Sequence, residues 1–124
     1  MLKEIIAVFI GGGIGSILRF LVNKIEIISE NNFPYSTFIS NFLGCFILGL
    51  VLGYFIKSEN PNSVLFVFLT VGLCGGFTTF SSFSYENLQL LQNGEILTFL
   101  IYLLGSLIVG IISVYIGMLI FKTL

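Results

Sequence analysis

The sequence predicts an all-α integral membrane protein with four transmembrane helices, of which the third is broken. Hydrophobic residues make up 56% of the 124 residues, and the mean hydropathy is +1.10, values far above those of soluble domains. Only 9% of the residues are charged, and most of them stand at the ends of apolar runs, where charged groups reach the membrane surface.

The predicted spans form one membrane domain with short polar connectors. Pro34 and Pro61 stand shortly before the second and third spans, at positions where a helix is interrupted. The first apolar run has features of a signal peptide, but Arg19 and three further spans follow, so we interpret it as a transmembrane helix. The spans cover residues 4–22, 35–56, 64–92 and 96–121.

Glycines at four-residue spacing in the first two spans are typical of closely packed helices. Gly11 and Gly15 form one such pair, and Gly49 and Gly53 form another. Contacts within one bundle and contacts with a second copy explain these pairs equally well. The stretch GGGIGS is not a phosphate loop, because no Gly-Lys-Ser/Thr follows it.

The second span carries a primary amide, Asn41, within the stretch STFISNFLGCFILG. Its N–H donors could hold an anion, and its carbonyl could hold a cation or a neighbouring helix. A hydrogen bond between helices and a role in permeation both stay open. Cys45 in this span and Cys74 in the third span are interpreted as packed free thiols.

The third span is interrupted by the stretch GLCGGFTTFSSFS, residues 72–84. Glycines followed by β-branched threonines weaken a helix, which places the unwound segment near residues 75–78. A break at bilayer depth is costly unless protein, water or an ion satisfies the backbone groups. The carbonyls of such a segment suit a small cation; a simple kink healed by threonine hydroxyls is the alternative.

After the interruption, the sequence predicts a second half-helix with two faces. Phe80 and Phe83 share one face, and Thr79, Ser82 and Glu86 share another. Aromatic residues at this spacing usually pack in a core or face lipid. The adjacent hydroxyls favour a functional surface, because each of them needs a partner inside the membrane.

The fourth span places two polar side chains one helical turn apart, Tyr102 and Ser106. They predict either the extension of a polar track or an interfacial tyrosine above a packing serine.

Positive charges are almost balanced between the two sides of the predicted bundle. Lys3, Lys57 and Lys122 lie on one side, whereas Arg19 and Lys24 lie towards the other. The positive-inside rule therefore gives no strong orientation, and the chain is predicted to insert both ways. Two oppositely inserted copies can form an antiparallel dimer, as the halves of inverted-repeat transporters do.

Several classes of function are disfavoured by composition. The chain contains no His and no Asp, which removes the usual general base and the commonest metal ligand. It has no basic patch for nucleic acid. An enzyme is the poorest interpretation, because no pair of nucleophile and base is visible.

Together these motifs resemble those of the Fluc fluoride channels, also called CrcB proteins. The signature is the third-span stretch above, and GGGIGSILRF in the first span and SNFLGCFILG in the second match two further landmarks. The resemblance covers essentially the whole chain, and the combination of motifs is specific. Family members carry Ser-Thr-Phe where this chain has Ser81, Ser82 and Phe83, a change that keeps the hydroxyl.

The resemblance implies a passive, fluoride-selective channel in the bacterial inner membrane, built as an antiparallel dimer with two pores. It implies a structural sodium ion at the dimer centre, held by the backbone carbonyls of Gly75 and Thr78. Arg19 matches an arginine at the end of the first span, and Glu86 matches a carboxylate late in the third. The partner is a second copy or a paralogous subunit.

The resemblance also implies which side chains line the fluoride path. Asn41, Phe80 and Phe83 form it, and Ser106 and Tyr102 continue it as a polar track. Fluoride is small and strongly hydrated, so a pore must replace its water with close donors. Neutral amides, hydroxyls and the positive edges of aromatic rings do so without holding the ion too tightly.

Two other classes of membrane protein compete with the channel. The small multidrug exporters are also dual-topology four-span dimers, and a proton-coupled transporter of that type is the main alternative. Such exporters resemble this chain less, because they need a carboxylate in the first span and residues 5–18 contain none. A structural subunit of a larger membrane complex leaves Asn41 and the paired phenylalanines without a role.

Overall fold

The computed structural model describes residues 1–25, 32–58 and 63–123. Pro61 and parts of the first two predicted connectors lie outside the described residues. Every described element is helical.

The first two spans are uninterrupted helices. Helix α1 covers Leu2–Lys24 and helix α2 covers Tyr35–Lys57. Helix α2 begins directly after Pro34, whose carbonyl accepts a hydrogen bond from the N–H of Phe38 at 3.1 Å. Both helices end on a lysine, where a positive charge meets the carbonyl end of the helix dipole.

The third span consists of four consecutive segments. It begins at Ser63, whose Oγ accepts the N–H of Phe66 at 3.0 Å as an N-terminal cap. The helix is interrupted at Thr78 and Thr79, which have extended backbones. The segments are α3 (Val64–Val67), a π-helical segment (Phe68–Cys74), α4 (Gly75–Phe77) and α5 (Phe80–Gln92).

The break is therefore confirmed, but its position and form differ in detail from the prediction. Gly75 has helical backbone angles (φ −62°, ψ −38°), so the extended part is shorter than residues 75–78. The π-helical segment was not predicted. The last helical hydrogen bond before the break is made by Thr78, whose N–H and Oγ1 both donate to the carbonyl of Cys74, at 3.0 and 2.9 Å.

The fourth span, helix α6, covers Ile96–Thr123. A tight turn joins it to α5 at Gly94, whose φ of +76° favours glycine because other residues are strained there. All four spans are confirmed as helices long and apolar enough to cross a membrane, with mean hydropathies of 2.2, 2.1, 1.9 and 2.5 in chain order.

The glycine pair of the first span is used inside the chain. A Cβ on Gly11 would meet the carbonyl oxygen of Phe68 at 2.6 Å and the Cα of Gly72 at 3.0 Å. A Cβ on Gly15 would meet the N–H nitrogen of Phe77 at 2.7 Å. Helix α1 thus packs backbone to backbone against the π-helical segment and α4, as small residues allow in membranes.

The second glycine pair joins α2 to α6. A Cβ on Gly53 would lie 2.8 Å from the carbonyl oxygen of Met118, and Gly49 lies against Val114 in the same way. From α6, Gly117 approaches the carbonyl of Phe46. Gly49 pairs with Val114 and Gly53 pairs with Met118, so the contacts advance in the same direction along both helices. Helices α2 and α6 therefore run parallel and in close contact.

The outer faces of the helices are apolar and uncovered. Phe9 is 81% exposed on α1, and Leu97 is 73% exposed on α6. In a bundle of membrane-spanning helices such faces contact lipid chains. The side chains that carry chemistry lie instead where α2, α5 and α6 meet, around the interruption of the third span.

Candidate functional site

Asn41 of α2 holds the broken segment of the third span in place. Its Oδ1 accepts the backbone N–H of Thr79 at 2.7 Å, and its Nδ2 donates to the carbonyl of the same residue at 3.1 Å. One side chain therefore satisfies both backbone groups of Thr79, which avoids the cost of leaving them unpaired in hydrocarbon. The Nδ2 carries a second hydrogen beyond the one used in this bond.

The same arrangement releases two backbone carbonyls from helical hydrogen bonding. In a continuous helix the N–H of Thr79 would donate to the carbonyl of Gly75, but here it donates to Asn41. The N–H of Ser82 would donate to the carbonyl of Thr78, but here it donates to the Oγ1 of Thr79 at 3.2 Å. The released carbonyls are hard oxygen ligands and fit a small cation such as sodium.

Thr79 caps the second half-helix. Besides accepting the N–H of Ser82, its Oγ1 lies 3.2 Å from the hydroxyls of both Ser81 and Ser82. Threonine at this position satisfies one of the unpaired N–H groups that begin a helix. Thr79 and Ser82, predicted as one polar face, thus contact each other and fix the start of α5.

The two phenylalanines of the motif lie side by side but differ in exposure. The ring centroids of Phe80 and Phe83 are 6.0 Å apart, with planes inclined at 39°. Phe80 is 79% exposed on the surface of the single chain, whereas Phe83 is only 7% exposed. One ring therefore lines the interior while its neighbour projects outwards.

A cavity of about 380 Å³ collects most of the predicted site residues. It is bounded by the break of the third span, by α2 and by the middle of α6. Among the described residues, no charged side chain lines it, and its polar side-chain groups are one amide, three hydroxyls and a thiol. The lining residues include Asn41, Cys45, Thr78, Thr79, Phe80, Phe83, Ser106 and Gly110.

Ser106 and Tyr102 have different places although they lie on one face of α6. The Oγ of Ser106 is buried, has no hydrogen-bond partner among the described residues, and belongs to a residue that lines the cavity. Tyr102 is fully buried and is not part of the cavity wall. Its ring packs edge-on against Phe83, with centroids 5.1 Å apart, so it supports that ring from behind.

A carboxylate lies beyond Tyr102, at the far end of this cluster. Glu86 accepts the hydroxyl of Tyr102 on Oε2 at 2.7 Å and the hydroxyl of Thr37 on Oε1 at 2.6 Å. It also lines two polar clefts of about 320 and 280 Å³. Among the described residues, no cation lies within ion-pair distance of it.

The structure adds one residue to the predicted site, Thr37, and leaves another, Arg19, outside it. Thr37 was not predicted to belong to it, although it stands one helical turn before Asn41 and is 2% exposed; that spacing was the available signal. Arg19 does not join the cluster, since it is absent from the lining of the cavity.

These features define a multi-pass membrane protein with four spans, a third helix broken at a polar clamp, and a neutral cavity beside the break. A family model described as "CrcB-like protein, Camphor Resistance (CrcB)" matches residues 6–118. The chain belongs to the CrcB family.

Curated relatives that carry the name fluoride-specific ion channel FluC match over nearly the whole chain. Three of them serve as examples. The protein from Flavobacterium psychrophilum is 43% identical over 127 aligned residues, covering 99% of this chain and 100% of that protein. The one from Azobacteroides pseudotrichonymphae is 47% identical over 118 residues, covering 94% of each chain. The one from Phocaeicola vulgatus is 44% identical over 118 residues, covering 94% of this chain and 96% of the other.

Proposed function

We propose that the chain forms a fluoride-selective channel that lets fluoride leave the bacterial cell passively. The name that the relatives carry and the family membership support this function. The observation that carries it is the cavity beside the break, which offers amide and hydroxyl groups and two phenylalanine rings but no charged side chain.

Neutral donors suit the permeation of fluoride. The ion loses tightly held water on entry, so donors must replace that water at short range. Asn41 and Ser106 carry such donors on the cavity wall, and the hydroxyl of Ser106 is free to turn towards an ion. A lysine or arginine at this place would bind the anion so strongly that release would become slow.

The single chain does not enclose a complete path, which favours a dimer. Phe80 is 79% exposed although it borders the cavity, and the cavity opens at the surface of the bundle. A second copy would cover this face and convert the open cavity into an enclosed path. The nearly balanced positive charges favour an antiparallel arrangement.

The carbonyls of Gly75 and Thr78 would hold a structural sodium ion at the dimer centre. Their release from helical hydrogen bonds supports this assignment, because carbonyls freed at a helix break are typical ligands of such ions. A bound cation supplies positive potential near an anion path without entering it. Replacing Na⁺ by N-methylglucamine is expected to lower the melting temperature of the purified dimer; an unchanged melting temperature would argue against the site.

Glu86 distinguishes the channel from a proton-coupled transporter. Its carboxylate accepts two hydroxyl hydrogen bonds, and a glutamine there keeps one carbonyl acceptor. We expect Glu86→Gln to retain substantial fluoride efflux from liposomes, and we expect efflux to be electrogenic. Complete loss, combined with movement that requires a pH gradient, would favour the transporter of the small multidrug exporter type.

A further inference from the structure

Both cysteines of the chain border one small internal space, which we call the thiol cavity. It has a volume of about 200 Å³ and is also lined by Gly44, Leu48, Thr70 and Gly75. Cys45 reaches it from α2, and Cys74 reaches it from the π-helical segment. Both side chains are free thiols.

Cys45 is partly buried and Cys74 is buried. Cys74 is only 4% exposed. The Sγ of Cys45 lies 3.6 Å from the point where a Cβ on Gly110 would stand, which is van der Waals contact distance from that position on α6. The thiols therefore border a common cavity from two different spans.

The thiol cavity and the larger cavity beside the break share part of their lining. Asn41, Cys45 and Thr78 line both spaces. A small ion that reaches the larger cavity therefore meets the thiol of Cys45 on the shared wall.

The chemistry of this pair selects a particular class of ion. Thiolate sulfur binds soft metal ions, and two sulfur ligands suit a monovalent ion with a filled d shell, such as Cu⁺ or Ag⁺, in linear coordination. Among the described residues there is no group of three or more His, Cys, Asp or Glu side chains that could hold a metal. A tetrahedral zinc site, which needs four ligands, does not fit.

We propose that Cys45 and Cys74 form a two-thiol site for a soft monovalent metal ion in the thiol cavity. On binding, each thiol gives its proton to water and its sulfur forms one bond to the metal, so two protons are released for each ion. Two thiolates and one monovalent cation leave one net negative charge. The occupied site thus places that charge beside Asn41 and Thr78, where it repels fluoride.

Binding is tested first on the purified full-length protein, with Ag⁺ alone as the probe in chloride-free buffer. The wild type is expected to retain about one Ag⁺ per chain after gel filtration, as two-coordinate binding to a thiol pair requires. Both single variants, Cys45→Ser and Cys74→Ser, are expected to lose this retention. The alanine variants serve as a second pair, because a buried serine could impair packing at Cys74.

Three results of this binding assay would overturn the site. Retention by both single variants would show that the thiols bind separately. One Ag⁺ for every two chains would place the ion between copies. No retention by a correctly assembled wild type would remove the site altogether.

The effect on transport is tested separately and rests on the proposed function. Ag⁺ is expected to abolish fluoride efflux through the wild type and to leave efflux through Cys74→Ala unchanged, because Cys74 does not line the larger cavity. Equal inhibition of the two proteins would contradict the proposed effect on the path. A wild type that carries no fluoride before Ag⁺ is added would instead refute the proposed function, while the binding result would stand.

Discussion

At the scale of single residues, Asn41 makes the hydrogen bonds to a neighbouring span that were one of the two roles the sequence left open. It hydrogen-bonds to both backbone groups of Thr79 and so connects α2 to the broken span. It also lines the neutral cavity. A primary amide suits this place because its acceptor oxygen and its donor nitrogen lie on one planar group and reach the N–H and the C=O of one residue together.

The paired phenylalanines give the most direct residue-scale prediction. Replacing Phe80 or Phe83 by isoleucine keeps an apolar side chain but removes the positive ring edge. We expect each replacement to reduce fluoride efflux at least about tenfold if a ring edge contacts the ion in the path. Efflux from liposomes, with dimer assembly checked by size-exclusion chromatography, measures the effect.

Phe9 provides a matched control for this prediction. It is 81% exposed, close to the 79% of Phe80, but it lies on α1 and does not line the cavity. Phe9→Ile is expected to leave efflux unchanged. Near-normal efflux through both Phe80→Ile and Phe83→Ile would remove the phenylalanines from the path.

Much of this site was predictable from residue types, and the exceptions have physical causes. Glycines and threonines inside an apolar span are costly there, so they indicated the break correctly, and the isolated amide of Asn41 drew attention to a residue that hydrogen-bonds at that break. Tyr102 was expected to continue the track, but it lies behind Phe83. Helical spacing places it on the same face as Ser106 and gives no information on which neighbour fills the space between them.

At the scale of elements, the third span shows what sequence patterns do not specify. Weak helix formers predicted an interruption, and one exists at Thr78 and Thr79. The π-helical segment Phe68–Cys74 has no local signature, because its course depends on close contact with α1. Gly72 meets Gly11, and Gly76 meets Gly12, across that contact.

The glycines of α1 allow a test of this contact with two neighbouring substitutions. Gly11→Ala puts a Cβ within 2.6 Å of a backbone oxygen, so we expect it to destabilise the protein by about 1–3 kcal/mol through overpacking. Gly13 has no atom within 4 Å of such a Cβ. Gly13→Ala is expected to be neutral or to stabilise by up to about 1 kcal/mol, because alanine favours helix.

Thermal unfolding in detergent measures both substitutions under the same conditions. A melting temperature that falls equally in the two variants would contradict the packing of α1 against the third span. A fall in Gly11→Ala alone would support it.

At the scale of the whole molecule, the number and order of the spans followed directly from hydropathy, and the structure confirms them. The arrangement of two copies does not follow in the same way. Nearly balanced positive charges favour both orientations, and the open cavity leaves a face for a partner. A cysteine introduced beside Gly94 and labelled with a thiol reagent from each side of sealed vesicles tests whether both orientations occur. Labelling from both sides is the expected result.

A channel that is built from this chain alone and lined by neutral side chains is expected to conduct fluoride and to discriminate against larger halides. The most direct measurement compares fluoride and chloride efflux from liposomes that contain only the purified chain and a potassium ionophore as the counter-ion pathway. We expect rapid fluoride efflux and chloride efflux at the level of protein-free liposomes. Equal efflux of both halides, or no fluoride efflux from a properly assembled sample, would contradict the proposed channel.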